Sequence, residues 1–149
     1  MTFPDHPAVN SQTGFLLKKV ATASFGAFAE IVGAYDLHPM HFGMLMMIDA
    51  EQPISQRDLS ARTGIDPSTM VARMDVLDEH GLIERLRNEQ DRRSYEIRLS
   101  PKGRRCLTKL HQEARKHGER FYSPLTPAER RQLHALLEKL AAGIDQAGR

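Results

Sequence analysis

The stretch NEQDRRSYEIRLSPKG, residues 88–103, sets Asp91 directly before two arginines, Arg92 and Arg93, between turn-forming residues and a run of alternating polarity. A guanidinium stays charged at any physiological pH and carries a planar fork of donors that matches phosphate oxygens, so two of them at a loop tip can hold a polyanion. A neighbouring carboxylate can fix one guanidinium in a single orientation and reduce the entropy lost when it is inserted. Taken alone, the triplet is equally what a solvated charged turn contains, and the elements around it must decide. The other reactive side chains assemble less. His38 and His41 stand three residues apart, but a tetrahedral zinc site needs three or four ligands and no further one lies near them in the sequence. Cys106 is the sole cysteine and falls beside a leucine stripe, which fits a buried structural thiol. No Gly-rich phosphate loop, paired carboxylates or nucleophile and base signature occurs, so the expectation is a non-enzyme with no cofactor and no metal.

A chain of 149 residues is about one domain, long enough for a real core, although an elongated helical oligomer fits that length too. One cysteine excludes an internal disulfide, no apolar run approaches the roughly 20 residues of a bilayer span, and MTFPDHPAVNSQ has no signal-peptide core. A reducing, cytoplasmic setting without membrane contact is expected. Lys plus Arg number 21 against 19 Asp plus Glu, and a net +2 argues weakly for any anionic partner. Distribution says more: residues 1–56 hold two bases and five acids, whereas residues 85–105 hold eight bases and three acids. The positive field is centred on the quoted stretch.

The elements that must position it follow from periodicity and punctuation. The polar first dozen residues read as a mobile arm. Over 11–33, Phe15, Leu16, Val20, Phe25, Phe28, Ile31 and Val32 recur at near-helical spacing. Pro39 opens a second helix through Phe42, Leu45 and Ile48 to about Ala50, with His38 at its N-cap. Ser55 with Asp58 starts a third, Asp66 with Pro67 a fourth, Ser100 with Pro101 a fifth, and Thr126, Pro127 and Glu129 a sixth. Gly64 and Gly81 supply stops that tolerate positive φ. Between Gly81 and Ser100 the period shortens: LIERLR and SYEIRL alternate around NEQD, which predicts a two-stranded hairpin.

Helix 55–62, a tight turn at Thr63, Gly64 and Ile65, and helix 67–80 have the size of a helix-turn-helix. Met70, Met74 and Leu77 can face a core, leaving Ser68, Thr69, Val71 and Ala72 on a face of small residues. Small side chains let a backbone approach closely, hydroxyls can meet phosphates or base edges, and Val71 and Ala72 can touch thymine methyls. Any helical hairpin shows the same spacing. The basic ribbon that follows turns the pair into a winged helix, with one helix for the major groove and a wing tip for the adjacent minor groove, whose narrow A·T stretches attract arginine.

The run DLSARTGIDPSTMVARMDVLDEHGLIERLRNEQDRRSYEIRLSPKG resembles the DNA-binding core of the multiple antibiotic resistance regulator (MarR) family, winged-helix transcription factors that act as homodimers. The likeness runs in detail from Leu37 to Gly103 and rests on DPST, GLIER, DRR and LSPKG together. It implies a mainly α fold: a winged helix-turn-helix of four helices and a two-stranded wing over 37–100, flanked by an arm and dimerisation helix over 1–36 and C-terminal dimerisation helices over 101–149. It implies that Pro67, Ser68, Thr69, Val71, Ala72 and Arg73 read the major groove, and that Arg93 enters the minor groove, oriented by Asp91, with Arg92 and Arg87 as further wing contacts. Two positions depart from the family: Ala72 often carries a polar or basic reader there, and Arg73 is commonly apolar.

The implied partners are double-stranded DNA with a palindromic operator, a second copy of the chain, and a small effector, with repression as the expected sign. Leu107, Leu110, Ala114, His117 and Phe121 form one stripe and Leu133, Leu136, Leu140 and Ile144 another, which intramolecular packing or a two-fold interface can bury. The resemblance favours the interface. It also points to an effector pocket at Tyr35, His38, His41 and Met44, where a phenol, two imidazoles and a thioether suit an aromatic or weakly acidic molecule; the same residues can simply pack the bend between two helices. The rival of another class is a winged-helix module used only for protein contact.

Overall fold

A computed structural model describes residues 6–88 and 95–147, with side chains through residue 144. The elements in chain order are α1 (Pro7–Asn10), α2 (Thr13–Gly33), α3 (Pro39–Glu51), β1 (Ile54–Ser55), α4 (Gln56–Thr63), α5 (Pro67–Glu79), β2 (Ile83–Arg87), β3 (Tyr95–Leu99), α6 (Pro101–Phe121) and α7 (Pro127–Ala147). The fold is mainly α, with a winged helix formed by α3 to β3. Helix starts fall where the caps place them. Ser55 Oγ accepts the Asp58 N–H at 3.0 Å, and at α7 Thr126 Oγ1 accepts the Glu129 N–H at 3.3 Å while Glu129 Oε2 accepts the Thr126 N–H at 2.8 Å. Gly64 and Gly81 adopt φ of 68° and 64°, where a side chain would be strained.

Two expectations at element level are corrected. The arm contains a one-turn helix, α1, because His6 Nδ1 accepts the Ala8 N–H at its N-cap and Pro7 presets φ at its first position. The sheet has three strands in the order β1-β3-β2, all antiparallel: β2 pairs Ile83 with Leu99 and Arg87 with Tyr95, and β1 adds Ile54 opposite Ile97. Two residues are too short for an alternating pattern to show. The pleat puts Ile83, Ile97 and Leu99 inward, while Tyr95, expected with them, stays exposed at the hairpin end.

Compactness divides the chain into residues 1–114 and 115–149, so the first two thirds of α6 belong with the winged helix. The first unit has one core, in which Leu45, Ile48, Leu59, Met70, Met74, Leu77 and Leu110 are fully buried. Leu107 and Leu110 therefore do not join a terminal interface stripe, because they already close the bottom of this core. The approach of α6 is set by Gly103: a Cβ there would run into the Leu82 carbonyl oxygen, which itself accepts the Ser100 N–H at 3.0 Å. In the second unit Leu133 is half-buried, whereas Leu136, Leu140 and Ile144 remain 53%, 59% and 73% exposed.

Candidate nucleic-acid interface

The exposed face of α5 is made by what its other face buries. Met70, Met74 and Leu77, at i, i+4 and i+7, are wholly inside, so Pro67, Ser68, Val71 and Ala72 are turned to solvent and Thr69 and Arg73 flank them half-buried. Five of the six expected groove-facing residues thus have small side chains, and the helix backbone can come close to a base edge. Asp66 caps the helix: its Oδ1 accepts the Ser68 hydroxyl at 2.6 Å and the Thr69 N–H at 3.0 Å. Those bonds, the Ser68 one first, hold the Asp66 carboxyl well below the usual carboxylate range. Ser68 consequently meets a partner with its proton committed and its lone pairs free to accept.

The turn before α5 is equally determined. Thr63 Oγ1 donates to the Leu59 carbonyl at 2.7 Å, Gly64 takes the left-handed conformation, and Asp66 begins the next helix. At the far end, Arg85 of β2 forms ion pairs with Asp75 at 3.2 Å and Asp78 at 3.1 Å on α5, and Lys102 Nζ donates to the His80 carbonyl at 2.7 Å. The helix is held from both the sheet and α6. Sequence reading missed Arg85 and Lys102 as positioning residues; two acids three apart on α5 were the visible signal, but only the hairpin register says which base reaches them.

Of the wing residues, Arg87 is exposed at the end of β2, opposite Tyr95. Asp91, Arg92 and Arg93 lie outside the described residues. The strands that carry them are braced by Arg98 Nε donating to Glu84 Oε2 at 2.7 Å, directly across the ladder, and by Asn88 Nδ2 donating to Glu96 Oε1 at 3.2 Å.

The four residues expected to line an effector pocket are not brought together. His41 and Met44 are 2% and 1% exposed, part of the core. His41 completes the N-terminal box of α3: its Nδ1 accepts the His38 N–H at 2.9 Å, and His38 Nδ1 accepts the Met40 N–H at 3.1 Å. Burial first, then the charges of Arg73, His38 and His80, push the His41 pKa down to about 4, so the ring is neutral at pH 7, and its Nε2 has no partner among the described residues. His38 edges an open apolar groove of about 970 Å³ between α2 and α3, walled by Phe25, Phe28, Phe42 and Met46, while Tyr35 edges a separate cavity at the end of α5. Cys106 is half-buried, and burial raises its pKa, which suits an inert thiol rather than a reactive one. No described helix is long and apolar enough to cross a membrane.

Comparison with known proteins agrees with this geometry. The MarR family model matches residues 35–94, from the end of α2 to the wing. A protein of Thauera aromatica assigned as the transcriptional regulatory protein for the hcr operon is 31% identical over 136 residues, covering 91% of this chain and 82% of the relative. Among solved structures, the transcriptional repressor CouR bound to a 23-mer DNA duplex matches with a TM-score of 0.82 at 28% identity, over 94% of this chain and 99% of CouR. A Pseudomonas aeruginosa protein described as a transcriptional regulator matches at 0.76 and 30% identity, over 88% of this chain and 98% of its own.

Proposed function

The chain belongs to the MarR family, and from that premise we propose that it is a homodimeric repressor that holds a palindromic operator and releases it when a small molecule binds. It is a DNA-binding transcriptional regulator and not an enzyme. The observation that carries the proposal is the α5 face: Ser68, Thr69, Val71 and Ala72 clear the surface of a helix whose other side is fully packed and whose two ends are pinned. Such a helix can enter the major groove without reorganising, and Arg87, exposed at the end of the strand beside it, can meet the neighbouring phosphate backbone, with Arg92 and Arg93 the wing contacts that the family resemblance implies for the minor groove.

Homodimerisation accounts for the apolar surface that a single chain leaves in water. Leu136, Leu140 and Ile144 recur along α7, and Phe15, Leu17, Val20 and Phe25 are exposed on α2. Burying them against a second copy gains roughly 1.5 to 3 kcal/mol for each large side chain. For the ligand, the groove between α2 and α3 offers space and aromatic walls for a small aromatic or weakly acidic molecule, with the His38 ring at its edge. A ligand there acts only through a preference for the state that does not fit the operator; a tenfold loss of DNA affinity needs about 1.4 kcal/mol of such preference.

Footprinting over the DNA upstream of the protein's own gene tests the reading. The expected result is one protected region with two-fold symmetry and half-sites about one helical turn apart. Capture of no fragment from a genomic library at moderate salt would instead favour a module for protein contact.

A further inference from the structure

On the exposed ridge of α5, Ser68, Val71, Ala72 and Asp75 follow one another at i, i+3, i+4 and i+7. None of these four side chains presents a hydrogen-bond donor outward. The Ser68 hydroxyl donates to Asp66 Oδ1 at 2.6 Å, Val71 and Ala72 are apolar, and the Asp75 carboxylate accepts Arg85 at 3.2 Å. Asp66 fixes the direction of the Ser68 bond. Hydrogen bonds from Ser68 first, then from Thr69, hold the Asp66 carboxyl well below the usual carboxylate range, so at neutral pH it has no proton to give back and Ser68 is the donor. What an exposed Ser68 Oγ offers to a partner is its lone pairs. Turning the proton outward would break a charge-assisted bond, which is stronger than the neutral one gained in exchange. Arg73 is the sole base within α5, and it is half-buried, with its charge felt at His41 on the packed side of the helix.

Granted that α5 reads DNA as proposed, we propose that Ser68 is a specificity-determining residue that accepts a hydrogen bond from the exocyclic amine of an adenine or cytosine in each half-site and rejects guanine and thymine at that position. The donors of the major groove are these amines, N6 of adenine and N4 of cytosine, whereas guanine presents O6 and N7 and thymine presents O4, all acceptors. An acceptor set against an acceptor leaves both desolvated and unpaired, which is worse than a missing contact. A serine with a free hydroxyl tolerates any base, because it can donate or accept. The Asp66 carboxylate removes that freedom. It is a positioning residue that acts on the base through the Ser68 hydroxyl and turns a tolerant side chain into a selective one.

Mobility shifts with the full-length protein on the footprinted operator test this, with one amine removed at a time: deoxynebularine is adenine without its amine, and the 2-pyrimidinone deoxynucleoside is cytosine without its amine. Each also weakens its own base pair, so every substitution is read in wild type and in Ser68→Ala, where that loss is common to both. At one position in each half-site, amine removal should cost wild type about fivefold in affinity, while Ser68→Ala, already weaker by about as much, should lose nothing further beyond the common loss. Which analogue shows the coupling names the base. Asp66→Asn keeps a good cap, and so a melting temperature within a few degrees, but loses the charge that fixes the Ser68 proton. It should reduce the penalty for guanine at the coupled position at least about threefold. Three results overturn the assignment while leaving DNA reading intact: amine removal that costs wild type and Ser68→Ala the same at every position, coupling of Ser68 to 7-deazaguanine in place of guanine, or a guanine penalty that Asp66→Asn leaves unchanged. A wild type that gives no footprint overturns the reading of DNA by α5, and the role of Ser68 with it.

Discussion

Ser68 and His41 show how single side chains are assigned to folding before recognition. Ser68 spends its proton on the Asp66 cap, and His41 spends its lone pair on the His38 N–H, which is why neither is free in the way its residue type suggests. His41 binds its proton less readily folded than unfolded, so its contribution to stability is complete above the ordinary value of 6.5 and is lost as pH falls from there toward 4. We predict that urea unfolding loses roughly 2 kcal/mol between pH 7 and pH 4.5 from this residue, and that His41→Asn, which keeps an acceptor but cannot titrate, shows a correspondingly flatter profile. At the wing, Arg93→Ala should reduce operator affinity by about 1 to 3 kcal/mol without altering the melting temperature. Asp91→Ala should also weaken binding although it removes a negative charge; stronger binding in a mobility shift would show that charge alone, and not orientation, explains the wing. The inward and outward residues of α5 were legible because period and polarity agree there. The effector set was not: a histidine at an N-cap and a histidine in a pocket look alike in one dimension, and only the depth of His41 and Met44 tells them apart.

Among elements, boundaries set by local chemistry were readable and those set by distant partners were not. Caps at Ser55, Asp66 and Thr126 and stops at Gly64 and Gly81 place three helices, α4, α5 and α7, through bonds or turns within a few residues. Strand β1 exists only because β3, some forty residues later, offers it a ladder. The stripe in the first half of α6 was misassigned for the same reason, since periodicity shows that Leu107 and Leu110 are buried but not against what. The α6 contact with the sheet makes a sharp prediction: Gly103→Ala should destabilise the fold by about 1 to 3 kcal/mol, because the added methyl meets the Leu82 backbone, which cannot swing aside as a side chain would. Thermal unfolding followed by circular dichroism checks it, and an unchanged melting temperature would show that α6 can shift at no cost.

For the whole molecule, the exposed apolar stripe of α7 and the exposed face of α5 belong to one proposal, in which a second copy covers the stripe and carries a second α5 to a second half-site. Charging the α7 stripe, Leu136→Glu with Leu140→Glu, should convert the dimer to monomer in light scattering and abolish tight operator binding, because buried unpaired carboxylates cost several kcal/mol. A folded, dimeric double variant would place the interface elsewhere. The central claim is that the exposed face of α5 reads DNA, and the most direct measurement is a quantitative mobility shift on the footprinted operator with Val71→Glu and Ala72→Glu combined. Both residues are exposed and touch no core, so the melting temperature should stay within a few degrees of wild type. Two carboxylates facing phosphates and base edges should lower affinity at least about a hundredfold; affinity within twofold of wild type, in a protein that melts normally, would contradict the account.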